Sequence, residues 1–196
     1  MKTYTLNQTH RLIAIIALIG ALAAANTAPL SAQTPTEPDL SAELAVLKGL
    51  GFHVFPQPVE IQPFSVPSLA GKTLDSKTLT GSIVLFNFWA TWCPPCKREM
   101  PSIETLWNAL KGDSFTVVAI STGEKKKTVA DFIAANKYTF PIFLDESGSM
   151  GRIYATQGIP TTYVMDKKGR IVAGIVGSTE YDNPALIKAL KGMAAK

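Results

Sequence analysis

A short apolar segment that runs into a pair of cysteines limits what this chain can fold into. The segment Ile83–Trp89 is nearly all apolar, which is typical of a central strand buried on both faces of a sheet. The segment Pro94–Leu110 has the pattern of a helix. Cys93 and Cys96 lie at the junction of the two. The sequence therefore predicts an α/β protein in which both cysteines stand at the N-terminus of a helix.

Strand-like and helix-like segments alternate after the cysteines. Further strands are expected at residues 115–121, 141–144, 161–165 and 170–176, the last two joined by a hairpin turn that ends in Gly169. Further helices are expected at residues 127–136 and 149–156 and from Pro184, with Asn183 as N-cap, to about residue 193. This order predicts a mixed central sheet flanked by helices on both faces.

Residues 1–32 have the pattern of a signal peptide. Lys2 and Arg11 precede an uninterrupted apolar run at residues 12–25, which is shorter than the roughly 20 residues that a membrane span needs. Cleavage is expected after Ala32, with residues 23–25 as a second choice. The alternatives are an uncleaved membrane anchor and a buried core helix. With a signal peptide or an anchor, the rest of the chain is exported to a compartment where disulfides form.

Residues 33–60 are expected to form a linker and an N-terminal extension ahead of a domain at residues 61–196. The linker is rich in proline and polar residues. Leucines then recur on one stripe, which predicts a short helix over residues 41–50 that Gly51 ends. We expect this extension to pack on the domain as a flap.

Composition gives no support for nucleic acid or metal as a partner. The chain has 19 basic and 15 acidic residues, and no basic block is interleaved with aromatic residues. Two cysteines and two histidines would suffice for one zinc site, but His10 lies in the leader and His53 stands alone. The sequence therefore predicts no metal site.

The position of the cysteines predicts redox chemistry. At a helix N-terminus, unpaired N–H groups and the helix dipole favour an anion, so the pKa of the Cys93 thiol should fall below its free value of about 8.5. Cys96 lies one turn further, close enough to form a disulfide with Cys93. Pro94 and Pro95 fit the first helical turn and stiffen the ring. A static disulfide and half of a zinc site are the alternatives.

The sequence of residues 87–96, NFWATWCPPC, resembles the active-site strand and turn of the thioredoxin superfamily. It is most similar to the exported TlpA/ResA-like thiol–disulfide oxidoreductases of bacteria, which have a redoxin or AhpC/TSA-like domain. The resemblance covers about two thirds of the chain, from Gln62 to the C-terminus. Pro101, the Gly-Ile-Pro-Thr-Thr of residues 158–162, an N-terminal hairpin at residues 64–74 and an inserted strand and helix at residues 112–136 agree with it. The resemblance implies a thioredoxin-like fold.

The resemblance also implies roles for the site residues. Cys93 would be the attacking thiolate, and the more buried Cys96 would resolve the mixed disulfide. Pro160 would be a cis-proline that presents the backbone of Ile159 to a substrate strand. Trp92 would form an apolar shoulder of the contact surface. The resemblance assigns Pro94, Pro95, Asn87 and Pro101 structural positions at the site.

One position departs from the thioredoxin pattern. Thioredoxins carry a buried aspartate where this chain has Asn87, which cannot take a proton from Cys96. Glu99 lies one helical turn after Cys96, so its carboxyl group can reach the same face. ResA-like proteins have a glutamate at this offset. A partly buried Glu99 should have a raised pKa and could relay a proton, whereas the alternative is a solvated surface glutamate.

The resemblance implies an exported reductase of client disulfides, such as those of apocytochrome c or of metal-site assembly factors. Its partners would be these clients and a membrane thiol donor. Its redox-active disulfide, Cys93–Cys96, would need no cofactor. It would act in the periplasm or at the extracytoplasmic face, with membrane contact only if the leader stays uncleaved. The alternatives are a DsbA-like oxidant, a peroxiredoxin-like peroxidase and a non-enzymatic copper-binding assembly module.

Overall fold

A computed structural model describes residues 37–196 of the chain. Its helices are α1 (Ser41–Gly49), α2 (Pro94–Leu110), α3 (Lys126–Asn136), α4 (Ser149–Tyr154) and α5 (Pro184–Ala195). Its strands are β1 (His53–Val59), β2 (Ser65–Pro67), β3 (Thr73–Asp75), β4 (Ile83–Trp89), β5 (Phe115–Thr122), β6 (Ile142–Asp145), β7 (Thr161–Met165) and β8 (Ile171–Val176). A 3-10 turn spans Ser76–Leu79.

The predicted signal peptide at residues 1–32 and the first part of the linker lie outside the described residues, so they stay predictions. Within residues 37–196, no helix combines the length and the apolar character that a membrane crossing requires.

The central sheet is mixed, as predicted. Its six strands have the order β1-β8-β7-β4-β5-β6. β4, β5 and β6 are parallel neighbours, whereas β7 runs antiparallel to both β4 and β8, and β1 runs antiparallel to β8. The register sets Asn87 of β4 opposite Thr162 of β7. The C-terminal end of β4 and the start of β7 therefore lie side by side, close to the point where α2 begins.

Both faces of the sheet are covered. All seven residues of β4 are buried, as expected for a central strand, and their side chains alternate between two apolar clusters. One cluster joins Leu85 and Trp89 to residues of α1, α2, α3 and α5. The other joins Phe86 and Phe88 to α4, the 3-10 turn and the β2–β3 hairpin. The prediction of helices on both faces is confirmed.

The N-terminal extension supplies an edge strand to the central sheet. Helix α1 packs on α5, and Lys196 at the C-terminus donates a 2.7 Å hydrogen bond to Glu43 of α1. Strand β1 then pairs with β8 at the edge of the sheet. Pro56 and Pro58 lie in β1, a place where a strand tolerates proline because one side has no ladder partner. The residues Pro38–Lys196 form one compact unit.

The remaining predicted elements are present with small shifts of their ends. β2 and β3 form the expected N-terminal hairpin as a separate two-stranded sheet. Strand β5, part of the expected insertion, lies in the interior of the central sheet between β4 and β6. Helix α4 ends at Tyr154, two residues earlier than predicted, because Ala155 leaves the helical conformation at φ −118°.

Candidate active site

Cys93 and Cys96 form a disulfide at the start of α2. Cys93 is the N-cap residue, and its sulfur accepts a hydrogen bond from the Cys96 N–H at 3.3 Å. Pro94 and Pro95 occupy the first turn, where a missing N–H leaves no intrahelical bond unmade. Cys93 is 3% exposed and Cys96 is 0% exposed. The structure therefore places both sulfurs at the helix N-terminus, with Cys96 the more buried.

A tryptophan and a cis peptide bond flank the disulfide. Trp92 is 65% exposed. The Ile159–Pro160 bond is cis, as predicted, while the predicted contact of this backbone with a substrate strand stays a prediction. The carbonyl oxygen of Ile159 lies 3.7 Å from Cys93 Sγ. Because a disulfide sulfur carries no hydrogen, this is a contact in the oxidised protein, and a reduced Cys93 thiol could donate a hydrogen bond there.

A cleft of about 430 Å³ opens beside the disulfide. Trp92 and Ile159 line it together with Arg152 of α4. Neither cysteine lines this cleft, but Trp92 precedes Cys93 in the chain and the Ile159 carbonyl oxygen contacts Cys93 Sγ. A larger groove of about 650 Å³ lies between the β2–β3 hairpin and β6, away from these residues. The cleft next to the cysteines therefore offers apolar surface and one cation to a bound client.

Glu99 is buried on the same helix as the cysteines, three residues after Cys96. It is 1% exposed, and its Oε1 accepts a 2.9 Å hydrogen bond from Asn87 Nδ2. Its Oε2 makes no hydrogen bond of ordinary geometry within the described residues. Burial raises the pKa of Glu99 from 4.5 to about 8, and the Asn87 hydrogen bond and the Thr179 backbone oppose this rise. Glu99 is therefore buried and not a solvated surface glutamate, while its role in proton transfer stays a prediction.

Asn87 connects Glu99 to strand β7. The Asn87 amide donates one hydrogen to Glu99 and the other to Thr162 Oγ1 at 2.8 Å. The buried hydroxyl of Tyr181 also donates to Thr162 Oγ1, at 2.7 Å. Burial, followed by the charge of Glu99, raises the pKa of Tyr181 well above its ordinary value. Thr162 belongs to the Gly-Ile-Pro-Thr-Thr motif, but no local pattern predicts its contacts with Asn87 and Tyr181, which span 75 and 19 residues, or marks Tyr181 itself.

The second turn of α2 is joined to the loop before α5. Pro101 lies inside α2, at the position that the sequence predicts. Next to it, the Ser102 hydroxyl donates to the Glu99 carbonyl at 2.7 Å and accepts a 3.0 Å hydrogen bond from the Tyr181 N–H. These bonds fix the helix turn that carries Glu99 against the loop that carries Tyr181.

The described residues show no group of three or more histidine, cysteine, aspartate or glutamate side chains that could hold a metal ion. The cysteine pair can exchange two electrons between its dithiol and disulfide forms.

The profile of the AhpC/TSA family matches residues 59–173, more than half of the chain. The sporulation thiol-disulfide oxidoreductase A of Bacillus subtilis (strain 168) is 34% identical over 128 residues, which are 62% of this chain and 78% of that protein. The thiol-disulfide oxidoreductase ResA of Bacillus anthracis is 33% identical over 118 residues, 60% of this chain and 68% of that protein. This chain is a thiol–disulfide oxidoreductase of the AhpC/TSA family.

Solved structures of such oxidoreductases have the same fold. The crystal structure of StoA from Bacillus subtilis matches with a TM-score of 0.58 and 30% identity, covering 67% of this chain and 99% of that chain. A thiol:disulfide interchange protein of the thioredoxin family from Chlorobium tepidum matches with a TM-score of 0.59 and 28% identity, covering 69% and 99%. The predicted thioredoxin-like fold and TlpA/ResA-like resemblance are confirmed.

Proposed function

We propose that this oxidoreductase is an exported reductase of client-protein disulfides, with Cys93 as its nucleophile and Cys96 as its resolving thiol. The observation that carries the proposal is the cysteine pair at the start of α2 with Glu99 buried one turn further. The pKa of Glu99 is about 8, so it can bind and release a proton near neutral pH. Among the described residues, its Oε2 makes no hydrogen bond of ordinary geometry, which leaves this oxygen open to a proton.

In the first step, the Cys93 thiolate attacks one sulfur of a client disulfide. The Cys96 N–H and the positive end of α2 stabilise this thiolate before attack. A bond forms between Cys93 and the client sulfur while the client disulfide breaks, and the released client thiolate takes a proton from water. Trp92 contacts the client, and the Ile159 backbone beside Cys93 positions the client strand.

In the second step, Cys96 resolves the mixed disulfide. The Glu99 carboxylate accepts the Cys96 proton, and the resulting thiolate attacks Cys93 Sγ. The Cys93–Cys96 bond forms, the bond to the client breaks, and the client's second sulfur leaves as a thiolate that takes a proton from water. Glu99 then returns the proton of Cys96 to the solvent. The client gains two electrons and two protons, and the enzyme reaches the oxidised state of the structure. A membrane thiol donor then returns the enzyme to its dithiol form.

Export and client identity belong to the same proposal. The pattern of residues 1–32 supports a signal peptide, and with it a location in the periplasm or at the extracytoplasmic face. The TlpA/ResA-like resemblance supports clients such as apocytochrome c or metal-site assembly factors. The mass of the exported protein should correspond to a chain that begins near Gln33, whereas a retained leader would indicate a membrane-anchored enzyme.

The reduction potential of the purified domain tests the direction of the reaction. Equilibration with thiol buffers should give a value near or below the roughly −270 mV of thioredoxin, which suits a donor of electrons. A value near the roughly −120 mV of DsbA would assign the protein to the oxidants and overturn the proposal. A Cys96→Ser variant should trap clients as mixed disulfides on Cys93, and their masses would identify them.

A further inference from the structure

Glu124 holds the backbone just before the cysteines, and the reaction described above does not use it. It lies between β5 and α3 and is 7% exposed. Its Oε2 accepts 2.8 Å hydrogen bonds from the Thr91 N–H and from the Ser121 hydroxyl. The Thr91 hydroxyl donates to Oε1. Three donors therefore converge on one buried carboxyl group.

Thr91 belongs to the turn that brings Cys93 to the helix. The Cys93 N–H donates to the Ala90 carbonyl at 3.2 Å, which closes the turn, and Cys93 then caps α2. Trp92, between Thr91 and Cys93, is largely exposed. Side-chain contacts with Glu124 therefore tie this turn to the end of β5.

We propose that Glu124 is a positioning residue for the Cys93 thiolate: by holding Thr91, it keeps Cys93 Sγ at the N-terminus of α2. This inference rests on the proposed role of Cys93 as nucleophile. The N–H groups and the dipole of a helix stabilise an anion only within the first turn. A turn that is released from Glu124 would let the sulfur leave this position, and the thiolate would lose part of its stabilisation.

A direct charge effect of Glu124 would have the opposite sign. A negative charge near Cys93 disfavours the thiolate, so its removal alone would lower the pKa of the Cys93 thiol. Loss of positioning would raise that pKa. Glu124→Gln leaves the other charged groups around the turn unchanged, namely Lys97, Arg98 and Glu99 on α2, Lys125 before α3 and Arg152 on α4. The direction of the pKa change therefore separates the two effects.

The chain contains a matched control in Glu104. Its carboxyl group accepts hydrogen bonds from the N–H and the hydroxyl of Thr139, at 2.7 and 2.6 Å, as Glu124 does from Thr91. Glu104 lies three turns along α2 from Cys93, about 16 Å at the rise of an α-helix. Substitution of Glu104 by glutamine disturbs an equivalent set of hydrogen bonds away from the thiolate.

The experiment measures the rate at which iodoacetamide labels Cys93 in the reduced protein as a function of pH. A glutamine has one acceptor oxygen and cannot satisfy all three donors. Glu124→Gln should raise the pKa of Cys93 by about half a pH unit, which lowers the ratio of thiolate to thiol about threefold at a given pH. Thr91→Val, which removes only the hydroxyl donor, should shift it in the same direction by less. Glu104→Gln should leave the profile unchanged while lowering the melting temperature.

An unchanged or lowered pKa of Cys93 in folded Glu124→Gln would overturn the proposal. If that variant fails to fold, an unchanged profile in Thr91→Val would overturn it equally. Preferential labelling of Cys96 in the wild-type protein would instead contradict the proposed function, so the two failures are distinguishable.

Discussion

Glu99 on α2 and Asp145 at the end of β6 are almost equally buried, with 1% and 5% of each residue exposed. Their hydrogen bonds differ. Glu99 accepts one from Asn87, and its second oxygen has none of ordinary geometry among the described residues. Asp145 accepts hydrogen bonds from the side chains or backbone of Thr122, Ser147, Ser149 and Gly151.

This difference shows that two almost equally buried carboxyl groups can differ widely in how many hydrogen-bond donors surround them. The donors around Asp145 replace the water that burial removes, and they join β5 to the loop before α4 and to α4 itself. Glu99 has too few donors to offset its burial, so its pKa rises to about 8. We infer that Asp145 fixes a loop, whereas Glu99 exchanges a proton beside Cys96.

The largest effect is expected at the cysteines themselves. Cys93→Ser should abolish thiol exchange, because the helix N-terminus stabilises only the first sulfur as a thiolate. Cys96→Ser should still attack clients but stop at the mixed disulfide. Exchange kinetics with a disulfide-containing peptide and mass spectrometry of the products measure both outcomes. Mixed disulfides that accumulate on Cys93→Ser would reverse the two roles.

The raised pKa of Glu99 should make the stability of the protein depend on pH. Its pKa of about 8 in the folded state lies above the ordinary 4.5, so the unfolded chain releases this proton first as the pH rises. The stability that the neutral carboxyl group provides is complete below pH 4.5 and is lost progressively up to about pH 8. The total loss is on the order of a few kcal/mol.

Glu99→Gln should remove this pH dependence because its amide does not titrate. Urea unfolding at pH 5 and pH 9 should show a smaller difference in the variant than in the wild type. The variant should also exchange thiols more slowly, with an altered rate–pH profile. Identical unfolding differences and overlaid rate profiles would show that Glu99 exchanges no proton in the reaction.

Asp145→Asn should lower stability without changing the pH dependence of thiol exchange, the opposite of what is expected for Glu99→Gln. The amide has one acceptor oxygen, so some of the donors around it lose their partner, at a cost of about 2 kcal/mol. We expect a lower urea midpoint at every pH and the wild-type rate–pH profile for thiol exchange. A rate profile that shifts as in Glu99→Gln would remove the distinction between the two carboxyl groups.

The parts of this molecule that sequence could predict are those with local patterns. The apolar run of β4, the cysteine spacing and the Ile159–Pro160 motif all lie within a few residues of chain, and the structure has each as expected. Helical spacing alone predicts that Glu99 faces the same side of α2 as Cys96. The sequence predicts only a flap where the structure has strand β1, because the pairing of β1 with β8 joins distant segments.

The contacts that support the site escaped prediction for the same reason. Glu124 reaches Thr91 across 33 residues, and Asn87 reaches Thr162 across 75. Each such pair depends on the sheet register, which the sequence of one strand does not specify. The reactive groups were therefore predictable, whereas the groups that hold them in place required the structure.

The smallest effect is expected from a substitution of Tyr181. It tests whether burial or the hydrogen bonds through Thr162 and Asn87 raise the pKa of Glu99. Tyr181→Phe keeps the buried ring and removes one hydrogen bond to Thr162, at a cost of about 1 kcal/mol. Asn87 still donates to Glu99, and Glu99 stays buried, so stability should fall by the same amount at pH 5 and pH 9. Urea unfolding at both values measures this. If the stability of Tyr181→Phe instead loses its pH dependence, as that of Glu99→Gln does, then the hydrogen bonds from Tyr181 through Thr162 and Asn87, and not burial, set the pKa of Glu99. The contrast between Glu99 and Asp145 would then depend on which donors surround each carboxyl group and not on how many.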